Sequence, residues 1–205
     1  MPRPKRTEAE VQWRRERILA ASAAVFQRVG FAAATMEEIA REAEYSPAAL
    51  YNYFRSKEEI IVAAIEQVVD QMTRILVEPM PFSMPFEQRL RWRVQRMTET
   101  AFANRGLLMT LEGADGPPSL GVHAARAKQC ADRTHSPWTS LMAEGQQGGH
   151  LRTDIAPEHL ALALTGLMRG TMATLVAQPN PPELPFLADL TDRLVDLFLN
   201  GARCR

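Results

Sequence analysis

Apolar positions along this chain recur at helical spacing and are broken by proline and glycine. Between about Glu8 and Val29, residues Ile18, Ala21, Val25, Phe26 and Val29 fall at i, i+3, i+7, i+8 and i+11, which puts them on one face of a helix. Gly30 is positioned to end it. In Thr35-Met-Glu-Glu38, a threonine N-cap and a glutamate three residues on can satisfy each other's free backbone N–H groups. This box opens a short helix that buries Met36, Ile39, Ala40 and Ala43. After a turn over Glu44 and Tyr45, Ser46-Pro47 supplies an N-cap and a proline at the first helical position, where its missing N–H costs nothing. That third helix is expected to run to about Phe54. Ser56-Lys-Glu-Glu59 reads as a second capping box, starting a long helix to about Glu78 with Ile60, Ile61, Ala64, Ile65, Val68, Met72 and Ile75 inward. Two short helices with a tight turn between them, flanked by longer ones, form a helix-turn-helix unit.

The remainder continues the pattern, and no run of alternating β-branched residues predicts a strand, so the chain reads as all-α. A helix from about Phe86 to Asn104 carries Leu90, Val94, Met97 and Ala101. Residues 107–111 and a segment from about Ala124 to Gln147, with Trp138, Leu141 and Met142, complete a bundle. Leu160, Leu164, Leu167, Met168 and Leu175 then sit on one helix, and Leu187, Leu190, Leu194, Leu197 and Phe198 on the next. The first of these has a second stripe, Leu162, Ala173 and Val176, and so more apolar surface than one neighbour covers. Self-association is the expected outlet. Gly166 and Gly170, four apart, allow close backbone approach, either to a second copy or within the chain.

Composition narrows the class. At 205 residues, 46% hydrophobic and 23% charged, with no uninterrupted apolar stretch of membrane-spanning length, a soluble protein with no membrane partner is expected. The opening MPRPKRTEAE lacks the apolar core of a secretory signal, which favours the cytoplasm. Cys130 and Cys204 are far apart and read as two free thiols. The formal net charge of zero hides an asymmetry: residues 1–57 hold ten Lys/Arg against seven Glu, a net of +3, leaving −3 on the rest. One end of the molecule is thus suited to phosphate.

The segment TMEEIAREAEYSPAALYNYFRSKEEI, residues 35–60, resembles the DNA-binding region of the TetR family of bacterial regulators, and ILAASAAVFQRVGFAAAT, residues 18–35, resembles that family's first helix and following turn. The resemblance implies an N-terminal three-helix DNA-binding domain joined by a long helix to a helical ligand-binding and dimerisation domain. In this chain the divisions fall at 1–12 for a basic arm, 13–73 for the DNA-binding domain with its helix-turn-helix at about 36–55, and 74–205 for the remainder. Two residues depart from the family pattern: Glu44 and Ala48 stand where glycines are common, and Glu44 strains the turn if a positive φ is required there.

Leu50 and Phe54, four apart, point inward, which turns Pro47, Ala48, Tyr51 and Asn52 outward. On such a face Ala and Pro permit close approach in the major groove and Asn pairs bidentately with adenine. Tyr51 and Tyr53 offer hydroxyls to phosphates, the helix starts at Thr35 and Lys57 present backbone N–H groups that favour anions, the charge of Lys57 adds to that attraction, and Ser46 stands at the N-cap of the third helix beside them. Arg41 lies near the turn, and the arm Arg3, Lys5 and Arg6 is placed to reach a groove or the backbone. The competing readings are a plain aromatic core for LYNYF and a solvated tail for the arm.

By resemblance the C-terminal domain encloses a small-molecule effector, with Trp92, Phe102, Met109, Trp138 and Met142 as pocket candidates and ordinary core as the alternative. Arg96, Glu99, Glu112 and His123 are polar groups able to orient a ligand, with a surface role as their alternative. The expected homodimer interface comprises Leu160, Leu164, Leu167, Leu175, Leu190, Leu194, Leu197 and Phe198. The expected partners are therefore an operator duplex, a second copy and a small effector. No cofactor or metal is expected, although His123, His135 and Glu112 form a remote metal alternative. A ligand-independent regulator and a helical enzyme are the rival functions, and the enzyme lacks any G-x-S-x-G, H-E-x-x-H or phosphate-binding glycine loop.

Overall fold

The computed structural model describes residues 7–81, 83–108, 125, 129, 132–176 and 184–203. Among them every regular element is helical: α1 (Glu8–Ala33), α2 (Met36–Glu42), α3 (Pro47–Tyr51), α4 (Lys57–Val77), α5 (Phe86–Ala103), α6 (Arg105–Leu108), α7 (His135–Gln147), α8 (Pro157–Val176) and α9 (Leu184–Ala202). One isolated antiparallel bridge pairs Leu151 with Arg203. The residues divide into two compact units, one reaching to Gln67 with a short stretch from Gly106, the other spanning Val68–Arg105 and the residues from Gln129. The division falls inside α4.

In the first unit, local sequence signals decide where helices begin. The Thr35 hydroxyl accepts from the Glu38 N–H at 3.2 Å while the Glu38 carboxylate accepts from the Thr35 N–H at 3.1 Å, a complete capping box. Met36, Ile39, Ala40 and Ala43 are buried as the pattern requires. Gly30 takes φ 77°, ψ 160°, a conformation closed to side chains with a Cβ, and the helical path of α1 breaks there. One more turn follows, in which Phe31 takes the inward place and sets its ring 5.5 Å from that of Phe26. Val29, expected inward, is consequently exposed.

Two further boundaries differ from expectation. Helix α3 stops at Tyr51, because the N–H groups of Tyr53 and Phe54 both donate to the Leu50 carbonyl, at 2.9 and 3.1 Å, and tighten the chain into a turn. The box at the start of α4 is half formed. Ser56 Oγ accepts from the Glu59 N–H at 3.3 Å, but the Glu59 carboxylate accepts from the Arg55 N–H at 2.7 Å, one residue earlier than a reciprocal box requires. All seven residues expected inward on α4 are buried, and Val62, Val69 and Leu76 join them.

In the second unit α5 packs against α8 and α9, α7 against α8, and α8 against α9. Gly145 allows α7 to approach α5, since a Cβ there would lie 2.5 Å from Phe86 Cζ and 2.8 Å from Leu151 Cδ1. The Phe86 ring is itself held by stacking on His150, centroids 5.3 Å apart and planes 2° from parallel. Buried Arg93 donates from Nε to the Leu76 carbonyl (3.0 Å) and from Nη2 to the Glu78 carbonyl (3.1 Å), which ties the C-terminal end of α4 to α5. That burial pulls the guanidinium's pKa below its ordinary value.

Candidate nucleic-acid interface

Helix α3 presents the expected outer face. Leu50 and Phe54 are fully buried, whereas Pro47, Ala48, Tyr51 and Asn52 are exposed, Tyr51 to 50%. Ser46, also exposed, uses its hydroxyl to accept from the Ala49 N–H at 3.2 Å, so it fixes the start of α3. Thr35 does the same for α2 through its box. Tyr53 departs from expectation. It is buried, with its ring edge-on to Tyr45 at 6.2 Å, and belongs to the core beneath α3 rather than to its outward face.

Lys57 is a second correction. Its ammonium donates to three carbonyls at the end of α1, Phe31 (3.1 Å), Ala32 (3.0 Å) and Ala34 (3.0 Å), and lies 5.0 Å from the Phe31 ring centroid. An ammonium has three N–H donors, and all three are engaged within the chain. The lysine at the start of α4 thus acts as a C-terminal clamp for α1, where carbonyls would otherwise lack partners.

The other cations of this unit are mostly committed as well. Arg14 pairs with Glu10 at 2.6 Å, Arg28 with Glu42 at 3.1 Å and Arg17 with Glu44 at 2.8 Å. Arg15 donates to the Tyr53 carbonyl at 2.8 Å and stacks over the Phe54 ring at 4.2 Å. Arg41 and Arg55 are exposed and their guanidinium groups make no hydrogen bond or ion pair with the described residues. Arg3, Lys5 and Arg6 lie outside the described residues. Sequence reasoning passed over Arg15, Arg17 and Arg55, although the basic run Arg14-Arg15-Glu16-Arg17 was visible on the first helix.

At the turn before α3, Glu44 has φ 62° and is the one non-glycine residue with positive φ among those described. For an L-residue this costs about 1–2 kcal/mol. Its ion pair with Arg17 is exposed, with the Glu44 side chain 80% accessible, and such pairs return about 0–1 kcal/mol. Relative to glycine, the glutamate is therefore not favoured by the stability of the turn.

Comparison with known proteins places this geometry. The family model for bacterial regulatory proteins of the tetR family matches residues 18–64, and that for the SbtR-like transcriptional regulator C-terminal domain matches residues 85–204. The chain belongs to the TetR family. TetR-family proteins are transcriptional regulators rather than enzymes. The Escherichia coli K12 regulator UidR is 28% identical over 189 residues, covering 89% of this chain and 92% of that protein. The nicotine-responsive repressor HdnoR of Paenarthrobacter nicotinovorans is 25% identical over 197 residues, covering 91% and 94%. The fatty acid degradation regulator FadR of Bacillus halodurans shares the fold, with a TM-score of 0.78 at 18% identity, covering 94% of this chain and 97% of FadR.

Within the C-terminal part of this TetR-family chain, Trp138 and Met142 are fully buried, Trp92 is half-buried, and Phe102 packs with Leu175 and Leu187 in one apolar cluster. Met109, Glu112 and His123 lie outside the described residues. Arg96 and Glu99 pair with each other at 3.1 Å, and His135 is exposed. A surface hollow of about 250 Å³ is lined by Phe86, Glu87, Gly149, His150, Leu199 and Arg203, none of them among the five pocket candidates. Among the described residues no three His, Cys, Asp or Glu side chains group as a metal site, and no helix is long and apolar enough to cross a membrane.

The apolar surface of α8 and α9 differs from the expected set. Leu160, Leu164, Leu175 and Phe198 are buried within the chain itself, because α8 and α9 pack against each other and against α5, and so they are core rather than interface. Leu167, Leu190 and Leu194 are half-buried, and Leu197 is 61% exposed. Leu162 (55%) and Phe186 (52%) add to this outer face, and a Cβ at Gly166 or Gly170 would meet nothing within 4 Å. The glycines therefore open onto free surface.

Proposed function

We propose that this chain is a transcriptional repressor that binds a near-palindromic operator as a twofold dimer and is released by a small apolar or amphipathic effector. The observation that carries the DNA-reading part is the exposed set Pro47, Ala48, Tyr51 and Asn52 above fully buried Leu50 and Phe54. Asn52 reads a base edge, Tyr51 and Arg41 hold phosphates, and the arm Arg3, Lys5 and Arg6 adds sequence-independent attraction. The DNA-binding domain is residues 13–73 and the regulatory domain 74–205.

Dimerisation is supported by the outer face of α8 and α9, where Leu162, Leu197 and the open glycines 166 and 170 would let two copies pack closely. Effector control is supported by the nicotine response in the name of HdnoR, which aligns along most of the chain. Coupling runs along α4, whose residues fall in both units, and requires the effector to bind the released state more tightly. The cytoplasm is the compartment such a regulator occupies.

Selection of bound sequences from a random duplex library tests the reading. The expected product is a motif with half-sites about one helical turn apart, whose preference at one position relaxes in Asn52→Ala. A library returned without enrichment would refute operator recognition. Leu162→Glu with Leu197→Glu is expected to turn a sedimenting dimer into a monomer, and a wild-type monomer at micromolar concentration would refute dimerisation.

A further inference from the structure

We propose that Glu44 is an affinity-tuning residue, an acidic guard beside the recognition helix that competes with DNA phosphates for Arg17 and so weakens the sequence-independent part of binding. The inference rests on the DNA-binding function and concerns how strongly the same surface holds any duplex.

Three observations carry it. The first is conformational: Glu44 sits at φ 62°, where glycine is comfortable and an L-residue is not, and its exposed ion pair is too weak an interaction to account for its presence. Strain held at an exposed turn without a stabilising return points to a functional reason. The second is position. Glu44 precedes Ser46, the N-cap of α3, by two residues, so the two Cα atoms lie within about 7.6 Å of each other, inside the Debye length at physiological salt. A duplex seated on α3 feels this carboxylate. The third is the charge balance of the unit. Residues 7–67 hold seven Lys/Arg and ten Glu, a net of −3, so the basic character of the N-terminal region resides in Arg3, Lys5 and Arg6. Within the described part, Arg14, Arg17 and Arg28 are paired with glutamates, and the ammonium donors of Lys57 are taken up by backbone carbonyls.

Of the paired arginines, Arg17 is the one whose partner lies in the turn that leads into α3. Its guanidinium also rests 5.2 Å from the centroid of the Trp13 ring, itself exposed, so the group is held beside the helix-turn-helix on the surface of the unit. With Glu44 in place, a phosphate must compete with a carboxylate for Arg17 and approach against its charge. Contacts that depend on sequence, made by Asn52 and its neighbours, are unaffected by that competition. The glutamate thus lowers affinity for all duplexes alike and leaves the ratio between operator and other sequences to base readout.

The test measures binding to a labelled duplex of scrambled sequence as a function of salt, for the full chain and for Glu44→Gln, Arg17→Gln and the double variant. Freeing Arg17 adds one phosphate contact per protomer, which steepens the slope of log K against log[salt] by about 0.9 for each protomer bound. Between about 200 and 50 mM salt the advantage of Glu44→Gln over wild type should therefore grow roughly 3.5-fold per protomer. Glu44→Gly, which also relieves the φ, should show the same slope. Arg17→Gln alone should leave the slope at the wild-type value, and the double variant should return to it. A Glu44→Gln slope equal to wild type overturns the proposal while leaving DNA binding intact, and a gain that survives in the double variant overturns the role of Arg17. If wild type bound no duplex at low salt, the DNA-binding function itself would fall, and the proposal with it.

Discussion

Lys57→Met separates two roles for the lysine at the start of α4, since methionine keeps the length of the side chain and removes its charge and donors. Two of the three carbonyls it serves belong to buried residues, Phe31 and Ala34, and the third to exposed Ala32. Water can replace the ammonium at Ala32 at little cost. At the other two, losing a charge-assisted hydrogen bond costs about 1.5 kcal/mol each at the low end of the usual range, about 3 kcal/mol together. Unfolding entropy near 2.1 cal/mol/K per residue over a chain of 205 residues converts this to a Tm lower by about 7 °C. Thermal unfolding followed by circular dichroism reads that shift, and a salt titration of DNA binding supplies the contrast. A clamp leaves the slope of log K against log[salt] unchanged, whereas a phosphate-binding lysine would flatten it by about 0.9 per protomer. A Tm within a degree of wild type combined with a flattened slope would refute the clamp.

Other substitutions probe the second unit. Gly145→Ala should destabilise the protein by about 1–2 kcal/mol although alanine is the better helix former by about 1 kcal/mol, because its Cβ meets the Phe86 ring, which is pinned by His150; an increased Tm would show that the ring yields freely. The hydrogen bond from Arg91, with Arg203 adding to it, holds the Glu87 carboxyl below the ordinary carboxylate range. A depressed folded-state pKa stabilises above the unfolded pKa, and that contribution is lost as pH falls through the folded one. Glu87→Gln should therefore lower stability at neutral pH and flatten the acid limb below the ordinary carboxylate range, an outcome contradicted by urea midpoints that track wild type at every pH.

Much of the molecule was legible from local chemistry. A Thr35–Glu38 box, a Ser-Pro helix start and a glycine break are decided by residues within four positions of one another, so sequence spacing located them. The outward set on α3 followed from Leu50 and Phe54 by the same periodicity, and the spacing of the whole segment carried the family resemblance. The positive φ at Glu44 was raised only as a condition, by the glycine common at that position in the family the segment resembles, and the structure supplies it.

What sequence left open depends on groups distant along the chain. Periodicity assigned Leu160, Leu164, Leu175 and Phe198 to apolar faces but could not say whether a neighbouring helix or a second copy covers each one, and the packing of α5, α8 and α9 decided that. Tyr53 turned inward because α3 ended early, at hydrogen bonds shared by one carbonyl. Lys57, a cation beside a DNA-binding motif, was assigned to phosphate by type, and only the fold brought the carbonyls of Phe31, Ala32 and Ala34 to it. Sequence determined which residues are apolar, charged or able to cap; tertiary structure decided which charges remain free, because a cation's partners are set by proximity in space.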